Sequence, residues 1–252
     1  MAGAASCAPA EPPAAWTPLF NGRDLTGWTP KIRGSALGVD SAGTFRVEDG
    51  LLTVSYDGYA DFADRFGHLF YEEPFSHYRL RVEYRFVGEQ APGGPAWAFK
   101  NSGVMFHTQA PESMLPQQDF PISLEAQLLG GNGTDVRPTA NLCTPGTHVE
   151  IEGRLVEEHC IPSRSATVHD ERWVTFELTV LGDSFITHVV DGDTVLSYAR
   201  PVIGGGVVSG FDPEAKRDGA RLTGGYIALQ SESHGVQFRQ VLLQRLDVES
   251  PG

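Results

Sequence analysis

Tyr78-Arg-Leu-Arg-Val-Glu-Tyr-Arg-Phe86 alternates apolar and charged residues without a fault. A period of two is what a β-strand with one buried face requires, so Leu80, Val82, Tyr84 and Phe86 face a core while Arg79, Arg81, Glu83 and Arg85 face away from it. On that outward face the charges are either solvated or, for Glu83 and Arg85, part of a polar cleft. The same period recurs along the chain. Trp173-Val-Thr-Phe-Glu-Leu-Thr-Val180 alternates, and Phe45-Arg-Val-Glu-Asp-Gly50 followed by Leu51-Leu-Thr-Val-Ser-Tyr56 reads as a hairpin on an Asp-Gly turn. Phe185-Ile-Thr-His-Val-Val190 pairs with Thr194-Val-Leu-Ser-Tyr198 across Asp-Gly-Asp, and strands follow at Gly225 to Glu232 and at Val236 to Leu246. Nowhere does an i, i+3, i+4 pattern outlast a turn or two. Short strands separated by glycine-containing turns predict an all-β fold, a jelly-roll β-sandwich of two curved antiparallel sheets.

The chain has 252 residues, which suits one large β domain with a sizeable core. Residues 1–15 read as a flexible leader or processed N-terminus, and 16–248 as the single domain. The formal net charge of −13 argues against nucleic-acid or anionic-membrane partners and leaves neutral ligands or cations. No apolar run approaches the length of about 18 residues that a membrane span needs. Residues 130–164 form a long Gly/Asn/Thr/Pro-rich excursion, the kind of insertion that makes the lid or wall of a site. Within it Cys143 and Cys160 are a plausible disulfide, which implies an oxidising compartment, secreted or periplasmic. Cys7 is then the odd cysteine, and the small residues before it leave room for a lipid anchor there.

Chemistry concentrates in two segments. In Ile122-Ser-Leu-Glu-Ala-Gln-Leu-Leu129, Leu124, Ala126 and Leu128 alternate with Glu125 and Gln127, so the two polar side chains point the same way. In Asn101-Ser-Gly-Val-Met-Phe-His107, Gly103, Met105 and His107 form one set, and Val104 and Phe106 belong in a core. If these strands share a sheet, His107, Glu125 and Gln127 converge on one polar surface, with Gly103 leaving room for a ligand. Gln230 and Glu232 share a face on a later strand. His188 lies on the same side as Ile186 and Val190, which leaves its role open between core and site. A glycosidase pair of carboxylates on one strand is missing, because the second position is the amide Gln127. One base, one amide and nearby histidines suit proton abstraction beside a carbonyl better. Glu125, His107 and Glu232, with His188, could also hold a divalent metal ion, although no compact ligand motif is present.

Eight pieces in order carry a family resemblance: Leu19-Phe-Asn-Gly-Arg-Asp-Leu-Thr-Gly-Trp28, Val47-Glu-Asp-Gly-Leu51, Tyr78 to Arg85, Asn101-Ser-Gly-Val104, Leu124-Glu-Ala-Gln-Leu128, His188 with Asp191-Gly192, Gly225-Tyr-Ile-Ala-Leu-Gln230, and Phe238-Arg-Gln-Val241. Together they resemble the 3-keto-disaccharide hydrolase family over Trp16 to Leu246. The resemblance implies a concanavalin A-like jelly roll acting on 3-keto-glycosides, usually exported by bacteria. A ketone at C3 acidifies the C2 hydrogen, so a base removes it, the enolate expels the C1 aglycone, and water adds back; direct hydrolysis is the other route. On this reading Glu125 or His107 is the base, and Gln127 and Arg85 hold sugar hydroxyls or the enolate oxygen. His188 and Glu232 assist the leaving group or bind a cation, Gln230 binds sugar, and Lys100 and Asn101 are further binding candidates. The competing class is a lectin-like carbohydrate-binding module, which predicts exposed aromatics among Trp28, Tyr59 and Trp97.

Overall fold

The alternating stretch Tyr78 to Phe86 lies in the longest strand among the described residues. In the computed structural model, which describes residues 15–247, that strand runs from His77 to Gln90, and its alternate residues Tyr78, Leu80, Val82, Tyr84 and Phe86 are buried. The strands in chain order begin with β1 Thr17–Pro18, β2 Trp28–Ile32, β3 Phe45–Glu48, β4 Leu51–Val54, β5 Gly67–Tyr71 and β6 His77–Gln90. Next come β7 Asn101–Thr108, β8 Leu124–Leu129, β9 Asn141–Cys143, β10 Thr147–Ile151, β11 Arg154–Val156 and β12 Cys160–Ile161. The last five are β13 Val174–Leu181, β14 Phe185–Val190, β15 Asp193–Ile203, β16 Tyr226–Ser231 and β17 His234–Arg245. The only helical pieces among the described residues are three 3₁₀ turns of three residues each.

These strands make two antiparallel sheets. One has ten strands in the order β11-β10-β15-β14-β13-β6-β17-β4-β3, with β1 also on β17. The other has seven, ordered β12-β9-β8-β7-β16-β5-β2. Their inner faces meet in one core: Leu80, Val82, Tyr84, Phe176 and Leu178 from the first sheet join Val104, Phe106, Leu124, Ala126, Leu128, Ile227 and Leu229 from the second. The fold is an all-β jelly-roll sandwich, held chiefly by burial worth about 1.5–3 kcal/mol for each large apolar side chain. Cutting fully buried Phe176 to alanine would cost about 3–5 kcal/mol.

Residues 130–164 are more regular than their composition suggests. They hold β9 to β12, of two to five residues each, with Cys160 directly opposite Cys143 and the two joined by a disulfide. Strands this short show no readable period, and their Thr and Pro content mimics a loop. On the outer face of the larger sheet, Arg79 and Arg81 both pair with Glu177, and Arg239 pairs with Glu83. Arg85 donates twice to Gln237 Oε1 and lies over the Trp173 ring. This surface belongs to the sheet that does not carry β7 or β8.

Candidate functional site

β7 is the middle strand of the smaller sheet, with β8 on one side and β16 on the other. The pairing sets a polar row across the sheet's outer face. Asn141 stands opposite Gln127, and Gln127 opposite Gly103. One residue beyond the Leu229–Val104 pair, Gln230 follows, with His68 opposite it and Lys31 opposite His68. Two residues along their strands lie Glu125, beside Met105, and Glu232 just past the end of β16. Gly103 is the low point of this face. A Cβ there would stand 2.7 Å from Glu125 Oε1 and 2.9 Å from Gln230 Oε1, so both side chains lean over the glycine and any larger residue would displace them.

The row is almost wholly withdrawn from solvent, with Glu125 5% exposed, Glu232 3%, Asn101 2% and Gln230 not at all. Its groups are nevertheless underused. Gln230 Oε1, Glu232 Oε2, Asn101 Oδ1 and His68 Nε2 have no hydrogen-bond partner, and the Gln230 N–H₂ has only the Glu125 carboxyl to face. Buried polar atoms without partners cost about 1–3 kcal/mol each, a burden that binding sites carry because a ligand relieves it. Gln127 differs: its Oε1 accepts from Asn141 Nδ2 at 3.0 Å, and Asn141 Oδ1 in turn accepts from the Ser163 backbone N–H at 2.9 Å. With its oxygen occupied, the Gln127 amide offers its N–H₂ to a ligand.

Burial raises both carboxyls above the ordinary carboxylate range. For Glu125 the neighbouring Gln230 amide offsets part of the rise; for Glu232 the charge of Glu125 adds to it. Two carboxyls so placed do not ionise together: Glu125, with the amide beside it, gives up its proton first and Glu232 keeps its own. His68 is neutral, its pKa pushed down to about 3 by burial and by the Lys31 charge, while Lys31 is spent on the carbonyls of Ile32 and Pro116.

A cavity of about 320 Å³ opens over this face. Asn101, Glu125, Gln127 and Glu232 supply its polar groups. The Cys143–Cys160 disulfide, Pro145 and His159 form a wall, and Trp97, Phe120 and Val207 complete the lining. Burial also lowers the pKa of His159, whose Nδ1 has no partner.

Of the residues expected here, Asn101, Glu125, Gln127 and Glu232 line the cavity and Gln230 lies beneath Glu125. His107 does not join them. It takes φ +50° near the end of β7, where the β7–β16 register shifts, and this bulge breaks the alternation: its Nε2 meets the Gly182 carbonyl at 3.0 Å, in the β13–β14 turn of the other sheet. His188 lies between the sheets, with Nδ1 against the Ala140 carbonyl, Nε2 against the Tyr198 hydroxyl, and the rings of Phe106 and Phe176 beside it. Arg85 is on the outer face of the larger sheet. Lys100, turned by φ +43° just before β7, lines a separate narrow cleft with Arg85, Phe86 and Gly130. The metal set of Glu125, His107 and Glu232 is therefore not assembled. Among the described residues, one group of three candidate ligand atoms gathers within 4.8 Å, from Cys143, His159 and Cys160, and the disulfide occupies two of them. Cys7 lies outside the described residues, as does residue 248.

His159, Phe120, Val207, Asn141, His68 and Lys31 were not expected. In Gly67-His-Leu-Phe-Tyr71 the one polar residue, His68, stands next to Leu69 in alternation, which is the signal for a second face, although Gly67 to Phe70 are all buried. The loop residues had none, because their positions depend on distant packing rather than on period.

Two crystal structures from Parabacteroides distasonis ATCC 8503, both provisionally described as glycosyl hydrolases, share the fold. One is 19% identical with a TM-score of 0.56, covering 92% of this chain and 94% of the other; the second is 14% identical with a TM-score of 0.54, covering 92% and 100%. No curated protein matches the chain. Residues 15–244 match the 3-keto-alpha-glucoside-1,2-lyase-like domain, and the chain belongs to that family.

Proposed function

We propose that the cavity cleaves 3-keto-glycosides, with Glu125 as the base that takes the C2 proton and Glu232 as the acid that protonates the departing C1 oxygen. The observation that carries this reading is a pair of buried carboxyls lining one cavity, Glu125 leaning over Gly103 and Glu232 past the end of β16, whose surroundings favour ionisation of one and protonation of the other. The C3 ketone makes C2–H acidic; the electron pair left at C2 closes a C1=C2 double bond as the C1–O bond breaks. Gln127, through its free N–H₂, and Asn101 are the donors for the oxyanion at C3. Water then adds to C1 while Glu125 returns its proton to C2, and the proton lost by that water restores Glu232. No oxocarbenium-stabilising carboxylate is needed. The disulfide supports action in an oxidising compartment, outside the cytosol.

The test is E125Q. Turnover of methyl 3-keto-α-glucoside should fall by about 10²–10⁴, with unchanged far-ultraviolet circular dichroism, and wild-type protein in D₂O should exchange the C2 hydrogen. Full activity in the variant would remove Glu125 from the chemistry. The lectin reading keeps one observation, the exposed Trp97, but Trp28 and Tyr59 are buried, with Trp28 Nε1 on the Leu19 carbonyl and the Tyr59 hydroxyl on Thr44. Binding of a 3-keto-glucoside with no aglycone released would favour it.

A further inference from the structure

The cavity changes character away from its polar groups. Trp97 and Val207 come from loops far apart in sequence, are 55% and 53% exposed, and line the same space. Trp97 is stacked on Phe66 with centroids 5.9 Å apart and planes at 16°, and Phe66 packs on Phe120 at 4.9 Å. Its loop is tied at Pro95, whose carbonyl accepts from Gln90 Nε2 at 2.8 Å. Val207 holds φ +55°, unusual for a β-branched residue. Its loop is fastened on both sides: the Gly146 N–H donates to the Gly206 carbonyl at 2.8 Å, and Ser209 donates to Asp119 through its backbone N–H at 2.7 Å and its hydroxyl at 2.6 Å. Rigid anchoring of two exposed apolar side chains over a cavity marks a contact surface for a ligand.

We infer that Trp97, Phe120 and Val207 form a seat for a flat, apolar aglycone, so that the substrates are aryl or arylalkyl 3-keto-glucosides rather than 3-keto-disaccharides. This rests on the proposed chemistry at the two carboxyls. A second sugar in this part of the cavity would meet tryptophan, phenylalanine, valine, proline and a disulfide, with one neutral histidine for all its hydroxyls. Those hydroxyls would lose their water without replacement. An aromatic ring would instead extend the Phe66–Trp97 stack and cover Val207. The volume of about 320 Å³ is at the small end of ligand cavities, which suits one sugar ring with a compact substituent.

The experiment compares methyl, benzyl and glucosyl 3-keto-α-glucosides: methanol and benzyl alcohol are matched in acidity, so their ratio reports contacts, and the sugar hydroxyl is the more acidic leaving group, so a benzyl preference over it cannot come from acidity. The benzyl substrate should exceed the glucosyl one in kcat/KM by roughly tenfold, the scale of one buried aromatic contact. In W97A the benzyl-to-methyl ratio should drop about fivefold or more. V207G, which suits the positive φ and so keeps the loop, should lower the same ratio. Preference for the glucosyl substrate, or ratios unchanged in both variants, overturns the seat while leaving the carboxyl chemistry standing. Failure of all three substrates to react overturns both.

Discussion

Glu125 and Glu232 are costly residues for the fold, and that cost can be measured. A carboxyl whose folded pKa is raised binds its proton more tightly in the native state. It adds stability below its unfolded pKa of about 4.3 and withdraws it as pH climbs toward the folded value. E232Q should therefore raise Tm at pH 8, by about 2–4 °C for each kcal/mol relieved, and change it little at pH 4. Equal shifts at both pH values would mean that Glu232 is not held protonated. Activity separates the two carboxyls further. Glu125 must be ionised to act, so the acid limb of kcat/KM should lie well above the ordinary carboxylate range. Because Glu232 is neutral when Glu125 first ionises, E232Q should leave that limb in place, reduce the rate, and abolish the alkaline limb. At this scale the sequence was informative where alternation held: Glu125 with Gln127, and Gln230 with Glu232, could be put on one face by period alone. It misplaced His107 because a single positive φ rotates a side chain without leaving any mark in composition.

Elements set the boundaries of that legibility. β6 and β13 are long enough for alternation to be unambiguous, and each buries the residues that the period selects. His188 shows what period cannot decide: it picks a face of β14, but in a two-layer structure the buried face of the larger sheet and the cavity face of the smaller one are different places. β9 and β12 were too short to read, yet they bring the disulfide and His159 to the cavity. The bridge spans a sequence separation of 17 residues, and loop closure of that size is worth about 3 kcal/mol. The double variant C143A/C160A should therefore unfold about 6–12 °C lower, and KM should rise more than kcat falls, because the wall contacts substrate while the carboxyls stand on β8 and beyond β16. A drop in kcat with constant KM would show that the disulfide wall positions the carboxyls instead.

For the molecule as a whole, the buried histidines outweigh the two carboxyls in acid. Burial is the largest cause of depression in each: His68 falls to about 3, and His107, His188 and His234 to about 4. A histidine with a depressed folded pKa gives its full stability above the unfolded value of about 6.5 and loses it progressively as pH falls to the folded value. At pH 5 these four side chains are neutral in the native protein and charged in the unfolded chain, so unfolding takes up about four protons. Glu125 and Glu232 release about two in the same step, since the unfolded chain cannot hold them protonated. The balance of about two protons makes unfolding easier by about 3 kcal/mol for each pH unit lost near pH 5. Urea midpoints measured from pH 7 to pH 4.5 should therefore fall steeply below pH 6.5. The slope should ease by about one proton in H188Q, which removes a titrating imidazole, even though that variant is less stable at every pH for want of the Ala140 and Tyr198 contacts. A midpoint flat over that range would mean that the histidines are not held neutral between the sheets.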